Sequence, residues 1–285
     1  NIYFSGNVFN SAGYAYVGKY DGVSNSELPG LNYFNTVLSS VVLLIDSINQ
    51  LYVSGIFVNS ANHAYLAKWD GTSWSELGGF NSLQANSAIA CATNDNHGAI
   101  YCAGWFTNDS SKYYVAKYDG MDWTELGGMN SLHANDGIEW LTHDPAGNIY
   151  AAGWFTNGPT NQVGNPYIAK FDGTSWSDIT TNSNLDTIVL QGSWGTWIQD
   201  LSTDRFGNIY CEMTLSSGHY GILKFDGTSW SSLPLPPAFF YTPNWPYTAY
   251  GTFGHQLLFD HDNNLYVGYT ECDSANNCHL FPFMY

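Results

Sequence analysis

The feature that most constrains this chain is a segment that occurs five times. Tyr-Leu-Ala-Lys-Trp-Asp-Gly-Thr-Ser-Trp-Ser-Glu-Leu at 65–77 has close copies at 14–26, 114–126, 167–179 and 221–233. Each copy alternates apolar and polar residues on either side of an Asp-Gly pair. That is the pattern of a β-hairpin, because alternation turns one face of a strand inward and glycine accepts the positive φ of a tight turn. A second element sets the period. Tyr3, Tyr52, Tyr101, Tyr150, Tyr210 and Tyr266 end Asn-Ile-Tyr or a variant of it at steps of 49, 49, 49, 60 and 56 residues, so six units are present. In five of them an Asp (Asp46, Asp95, Asp144, Asp204, Asp260) stands six residues before that Tyr, with Gly, Asn or Asp between, which is a second turn.

Each unit then holds four short strands, in the second unit roughly 38–45, 51–58, 64–69 and 73–77, and none shows a helical period. Four antiparallel strands returning every ~40–50 residues are the mark of a β-propeller blade. The predicted fold is all-β: one propeller domain over 1–285, with six four-stranded blades at about 1–30, 36–78, 86–127, 136–180, 194–234 and 253–285. The first blade lacks its first strand and the last its fourth, which leaves 22 strands. Trp74, Trp123, Trp176 and Trp230, with Trp69, Tyr118, Phe171 and Phe225, are expected to fill the spaces between blades. The open edges of the incomplete blades can accept strands from neighbouring subunits or flanking domains.

Charge narrows the partners. Acidic residues number 24 and basic ones seven, for a formal charge of −17, and five of the seven (Lys19, Lys68, Lys117, Lys170, Lys224) occupy one repeat position. Only Lys112 and Arg205 lie elsewhere, so nucleic acid and anionic membrane surfaces are excluded as partners, as is a site that clamps phosphate with several arginines. No apolar run approaches the roughly 20 residues of a spanning helix, so no membrane insertion is expected. Scarce lysine, abundant Asn, Ser, Thr, Gly and Tyr, and a glycosylation-type sequon at Asn108-Asp109-Ser110 point to an extracellular or cell-surface protein with Asn108 as the modified residue. Two disulfides are expected. Cys91 and Cys102 fall opposite one another across a short hairpin in the repeat register, and Cys272 and Cys278 bracket a short segment that a bridge can close. The competing reading makes Cys91, Cys102 and Cys211 small buried hydrophobes.

Ala-Lys-Trp-Asp-Gly-Thr-Ser-Trp-Ser-Glu-Leu-Gly at 67–78 and Tyr-Ala-Ala-Gly-Trp-Phe-Thr-Asn at 150–157 resemble the "Ala-Lys-Trp-Asp-Gly-x-x-Trp" propeller repeats of large secreted or surface proteins of bacteria. The resemblance covers nearly the whole chain. It implies a propeller and an exported protein, and brings no activity with it, since that family is mostly without an assigned one. The turn also looks like a shortened sialidase Asp-box, in which Asp and Gly stabilise a hairpin away from the active site. Here Asp70 and Trp74 are four apart, tighter than in that box, and a single Arg cannot supply the three-arginine cluster of sialidases.

A regular scaffold puts function where it departs from the repeat. Two departures, 181–200 and 235–255, lengthen the connection from the last strand of one blade to the first strand of the next. They carry Trp194, Trp197, Phe240, Tyr241, Trp245, Tyr247 and Tyr250 beside Asn, Asp and Gln. Aromatic faces stack on the C–H faces of sugars while amides and carboxylates bond their hydroxyls. Trp194, Trp197, Tyr241, Trp245 and Tyr247 are therefore the candidate ligand-binding set, and a glycan or cell-surface polysaccharide the candidate partner; the competing role is to plug the channel or cover a blade edge. The regular connections 78–86 and 127–135 offer equivalent small sites or plain turns. For catalysis, Glu139 and His255 share one position on the innermost strand and Asp200 lies one step away. Two such carboxylates can act as acid and base in glycoside cleavage, or simply bond neighbouring backbone. No cofactor is expected. Asp260-His261-Asp262-Asn263-Asn264 has oxygen ligands at a spacing Ca²⁺ can use but lacks the full binding loop. The leading reading is a carbohydrate-binding or adhesion module, followed by a structural unit of a larger surface assembly and then by a glycoside-cleaving enzyme.

Overall fold

The computed structural model describes residues 1–5, 10–13, 16–30, 42–55, 57–95, 97–156, 167–180, 185, 198–214, 220–233, 256–272 and 278–284, with backbone alone at 214, 220, 256, 268–272 and 278–284. The repeated hairpin is built by its aspartate. Asp70 Oδ1 accepts the backbone N–H of Thr72 and Ser73 at 2.8 and 2.7 Å, while Gly71 takes a φ of 103°. Asp21, Asp119, Asp172 and Asp226 accept the same two N–H groups in their own turns. These donors favour the carboxylate, and the Ser229 N–H first, then the Thr228 hydroxyl, bring Asp226 down to about 2 from 3.8. A carboxyl whose folded value lies below its unfolded value contributes stability that is complete above about pH 4 and lost as pH falls through the folded value. The melting temperature is therefore expected to fall as pH drops from about 4 to about 2, and to fall less in Asp226→Asn; thermal melts across that window measure it, and a flat profile would contradict it.

The second turn works through six residues. Asp95 Oδ1 accepts the N–H of His97 and Ala99, and Oδ2 accepts the Tyr101 hydroxyl at 2.9 Å. The same Asp-to-Tyr bond forms at Asp46–Tyr52, Asp144–Tyr150, Asp204–Tyr210 and Asp260–Tyr266. The tyrosine ring in turn explains why lysine occupies one repeat position. Tyr101 and Lys117 are cross-strand partners, and Lys117 Nζ lies 5.8 Å from the ring centroid; Lys170 over Tyr150 and Lys224 over Tyr210 repeat the contact at 5.7 and 5.6 Å.

Twenty-two strands result among the described residues, arranged in six antiparallel sheets whose strand order follows the chain. The first sheet is β1 (Ile2–Phe4), β2 (Gly18–Tyr20) and β3 (Asn25–Glu27); the second is β4 (Val42–Ile45), β5 (Leu51–Ser54), β6 (Ala67–Trp69) and β7 (Trp74–Glu76). The third is β8 (Ile89–Asn94), β9 (Ile100–Gly104), β10 (Ala116–Tyr118) and β11 (Trp123–Glu125); the fourth is β12 (Ile138–His143), β13 (Ile149–Gly153), β14 (Ala169–Phe171) and β15 (Trp176–Asp178). The fifth is β16 (Asp200–Thr203), β17 (Ile209–Thr214), β18 (Tyr220–Phe225) and β19 (Trp230–Ser232), and the sixth is β20 (Gln256–Phe259), β21 (Leu265–Cys272) and β22 (Cys278–Met284). The chain divides into two compact units, Asn1–Leu141 and Thr142–Tyr285. Among the described residues no helix is long and apolar enough to cross a membrane.

Within each unit the tryptophans tie sheet to sheet. Trp74, Trp123, Trp176 and Trp230 each meet the cross-strand ring of Trp69, Tyr118, Phe171 or Phe225 at 5.0 to 5.3 Å. Trp123 donates its indole N–H to the Leu77 carbonyl of the preceding sheet at 3.1 Å, and Trp230 donates to Ile179 at 3.2 Å. Phenylalanine packs as well but cannot make that bond. The innermost strands are joined by side chains instead. Asn94 donates to the Ile45 carbonyl, Thr203 to the His143 carbonyl, and Asp200 accepts the Leu257 N–H, so edge groups that face no further strand are still bonded.

Strand length follows one residue. Three positions after the repeat tyrosine stand Gly6, Gly55, Gly104 and Gly153 in the first four units, but Met213 and Tyr269 in the last two. Where glycine stands, the pairing of the second strand with the third closes before it, at Ala116↔Cys102 and Ala169↔Ala151. Where it is replaced, the ladder runs on, to Thr214↔Tyr220 and Cys272↔Cys278. The expected Cys91–Cys102 bridge is corrected by register. A bulge between Ile89 and Cys91 puts Ala92 opposite Cys102 and Cys91 opposite Ala103. Neighbours on a strand point to opposite faces, so the two thiols are turned apart. Both are free and buried, as is Cys211, and the Cys91 thiol lies 3.6 Å from the Ile138 carbonyl.

Candidate functional site

Two connections leave the same end of each four-stranded sheet, from the second strand to the third and from the fourth strand to the next sheet. In the third sheet they span 105–115 and 126–137. Phe106 is fully buried against Tyr114, with ring centroids 4.9 Å apart, and this turns its neighbour Trp105 outward, where it is 39% exposed. The indole is seated from behind. A Cβ at Gly137 would lie 3.0 to 3.1 Å from its ring atoms, so any larger residue would make the ring give by a few tenths of an ångström. Tyr113 meets the ring edge-on at 6.4 Å and 84°, and the Trp105 backbone N–H donates to the Ala88 carbonyl at 2.9 Å. One face of the ring is thus held, and the residue stays part-exposed.

Polar groups are fixed further along the same connection. Tyr113 bridges both Thr107 and Ala134 in short antiparallel contacts. Asn86 clamps Thr107, accepting its backbone N–H at 2.9 Å and donating to its hydroxyl at 3.1 Å. Asn108, one residue on, accepts the N–H of Ser110 and Lys112 and donates to Glu125 Oε2 at 2.9 Å and Asn130 Oδ1 at 3.0 Å. Asn130, at a φ of 59°, returns its backbone N–H to Glu125 Oε1. The second sheet repeats the network: Asn59 and His63 converge on Asn81 Oδ1, and the Asn81 N–H reaches Glu76. These connections are therefore rigid and hydrogen-bonded, and 78–86 and 127–135 are ordered turns. The Asn108 amide thus spends its two hydrogens on Glu125 and Asn130, and a glycan on Asn108 would take the place of one of them.

Of the residues expected at a site, Trp194, Trp197, Tyr241, Trp245, Tyr247 and His255 lie outside the described residues. Glu139 is half-buried on β12, close enough to Cys91 to add to the rise that burial imposes on that thiol. Asp200 is buried, and its two oxygens accept the backbone N–H of Leu201 and of Leu257, so this carboxylate holds strands together. Directly opposite it on β17 stands Glu212, also buried. Equivalent pairs in other sheets are Val42↔Ser54, Cys91↔Ala103 and Gln256↔Gly268. Glu212 is not among the sequence candidates, although a glutamate where other units carry Ser54, Ala103 and Gly268 is a departure of the same kind as the loop insertions. Asp260 spends its carboxylate on the N–H of Asp262 and Asn264, the Asn264 amide and the Tyr266 hydroxyl, like the other turn aspartates. Among the described residues no three His, Cys, Asp or Glu side chains are grouped to hold a metal.

No family model and no curated protein matches the sequence. Solved structures do match. A Trypanosoma rangeli sialidase aligns over 95% of this chain and 50% of its own at 10% identity and a TM-score of 0.55. A polysaccharide lyase described as an ulvan lyase aligns over 99% and 77% at 13% identity and 0.54, and a gluconolactonase of Xanthomonas campestris over 95% and 79% at 12% identity and 0.51. The chain has the β-propeller fold. Its six sheets are the blades, and at these identities the likeness extends to the fold alone.

Proposed function

We propose that this propeller is an extracellular binding module for uncharged carbohydrate, of the "Ala-Lys-Trp-Asp-Gly-x-x-Trp" repeat kind, with Trp105 as a stacking platform. The observation that carries the reading is the seat of that indole: an exposed ring held on Gly137 and Tyr113, with the hydrogen-bonded Asn86–Thr107 pair further along the same connection. A rigid ring followed by oriented amide and hydroxyl groups matches the alternation of C–H faces and hydroxyls on a sugar, and little side-chain entropy is lost on binding. Sheets of this kind also carry sialidase, lyase and lactonase chemistry on sugars in the propellers to which the chain is similar. The scarcity of cations supports an uncharged ligand. Lys117, Lys170 and Lys224 lie over tyrosine rings, and Arg205 lies over Phe206 in the strand-one to strand-two turn at the other end of its sheet.

A glycan array probed with the intact protein tests this. Binding is expected to neutral glycans, and Trp105→Ala is expected to weaken it by at least roughly tenfold, the equivalent of about 1.4 kcal/mol. Met121→Ala, an exposed apolar change at the opposite end of the same sheet, should leave it unchanged. A wild-type protein that binds no glycan would favour the second reading, a structural unit of a larger assembly. That reading draws on the first and sixth sheets, which have three strands each among the described residues.

A further inference from the structure

The two cysteines nearest the end of the chain stand differently from the three buried thiols. β21 and β22 pair through seven registered positions, from Tyr266↔Met284 to Cys272↔Cys278. Cys272 and Cys278 are therefore direct cross-strand partners, whereas Cys91 and Cys102 are one step out of register. Direct partners have Cα atoms about 4.5 Å apart in a non-hydrogen-bonded pair and about 5.5 Å in a hydrogen-bonded one. Both spacings fall inside the roughly 4.4–6.8 Å that a disulfide spans. In this unit Tyr269 stands where the first four units carry glycine, and the ladder runs on to these residues.

β22 lies at the edge of its sheet among the described residues. In the four-stranded sheets the third strand lies between two partners, but among the described residues β22 pairs with β21 alone. It also contains Pro282, which has no N–H to give the ladder and is tolerated at an edge. We infer that Cys272 and Cys278 are joined by a disulfide that closes the turn end of the β21–β22 hairpin, where the last pair of the ladder brings them opposite one another. The bond forms by exchange with a small disulfide such as oxidised glutathione. One cysteine thiolate attacks the glutathione disulfide and expels a glutathione thiolate; the second thiolate attacks the resulting mixed disulfide and expels the other. The two cysteine protons end on two glutathione thiols, so the pair is oxidised by two electrons and glutathione disulfide is reduced by two.

The test equilibrates the folded full chain with a mixture of oxidised and reduced glutathione. It is then quenched with N-ethylmaleimide in denaturant, and adducts are counted and mapped by mass spectrometry. Three adducts are expected, at Cys91, Cys102 and Cys211, rising to five when reductant precedes the quench. A mapped Cys272–Cys278 link and a melting temperature that reductant lowers in the wild type, but not in the Cys272→Ser/Cys278→Ser protein, would complete the result. Five adducts without reductant, glutathione left on either residue, or a link from either one to a different cysteine would overturn it.

Discussion

Trp230→Ala is expected to be among the most destabilising single changes in this protein, at about 3–5 kcal/mol, because a large buried aromatic is replaced by a cavity. Trp230 is 2% exposed, stacks on Phe225 at 5.1 Å, and donates its indole N–H to Ile179 in the preceding sheet. Trp230→Phe separates the two contributions. It removes the donor and three ring atoms, leaving a carbonyl without its bond at a cost of about 1–3 kcal/mol in addition to the loss of ring volume, which the next variant shares. Trp74→Phe is the internal control. Its indole nitrogen is buried yet has no acceptor among the described residues, so removing the N–H should cost far less than at Trp230. Urea denaturation of the four proteins at one temperature measures the differences, with an unchanged m-value as the sign that only stability has moved. Equal losses in the two Trp→Phe variants would show that the bond between sheets contributes nothing.

Gly104→Ala is expected to cost about 1–3 kcal/mol or more, and to impair carbohydrate binding as well. A Cβ here would lie 2.3 Å from the Ala88 oxygen, 2.6 Å from the Ala90 nitrogen and 2.9 Å from the Ile89 Cα. All three are backbone atoms, so no rotamer change relieves the clash; β8 has to move away at the bulge where it meets Gly104. The next residue is Trp105, whose backbone N–H is bonded to the displaced Ala88 carbonyl. A shift of β8 therefore unseats the indole from Gly137 without touching its ring. The expected pattern is a lowered melting temperature together with weaker glycan binding in protein that is still folded at 20 °C. A variant with wild-type stability would mean that the backbone yields easily here.

Much of the fold is legible in the order of the residues, and for one reason. Turn chemistry and strand alternation depend on residues a few positions apart, and six units repeat them. The Asp-Gly hairpins, the Asp-to-Tyr spacing of six, the order of four strands per blade and the packing role of the repeated tryptophans are all of this kind. The site is less legible. The irregular aromatic stretches stand out in the sequence, whereas Trp105 sits inside a regular repeat, in Gly-Trp-Phe-Thr-Asn, where nothing local marks it as exposed.

The sequence by itself determined the propeller, its blade count and the places where the chain turns, because those follow from short-range periodicity repeated along the chain. Only the tertiary structure decided which side chains face solvent, which face each other and which are spent on neighbouring sheets. Trp105 depends on Gly137, Asp200 on Leu257 and Trp230 on Ile179, pairs far apart in the chain. A single-residue bulge at Ile89–Cys91 was enough to turn the expected Cys91–Cys102 bridge into two separate buried thiols. With a side-chain period of two, a one-step shift in register changes which face every residue occupies, and that shift is set by packing between strands.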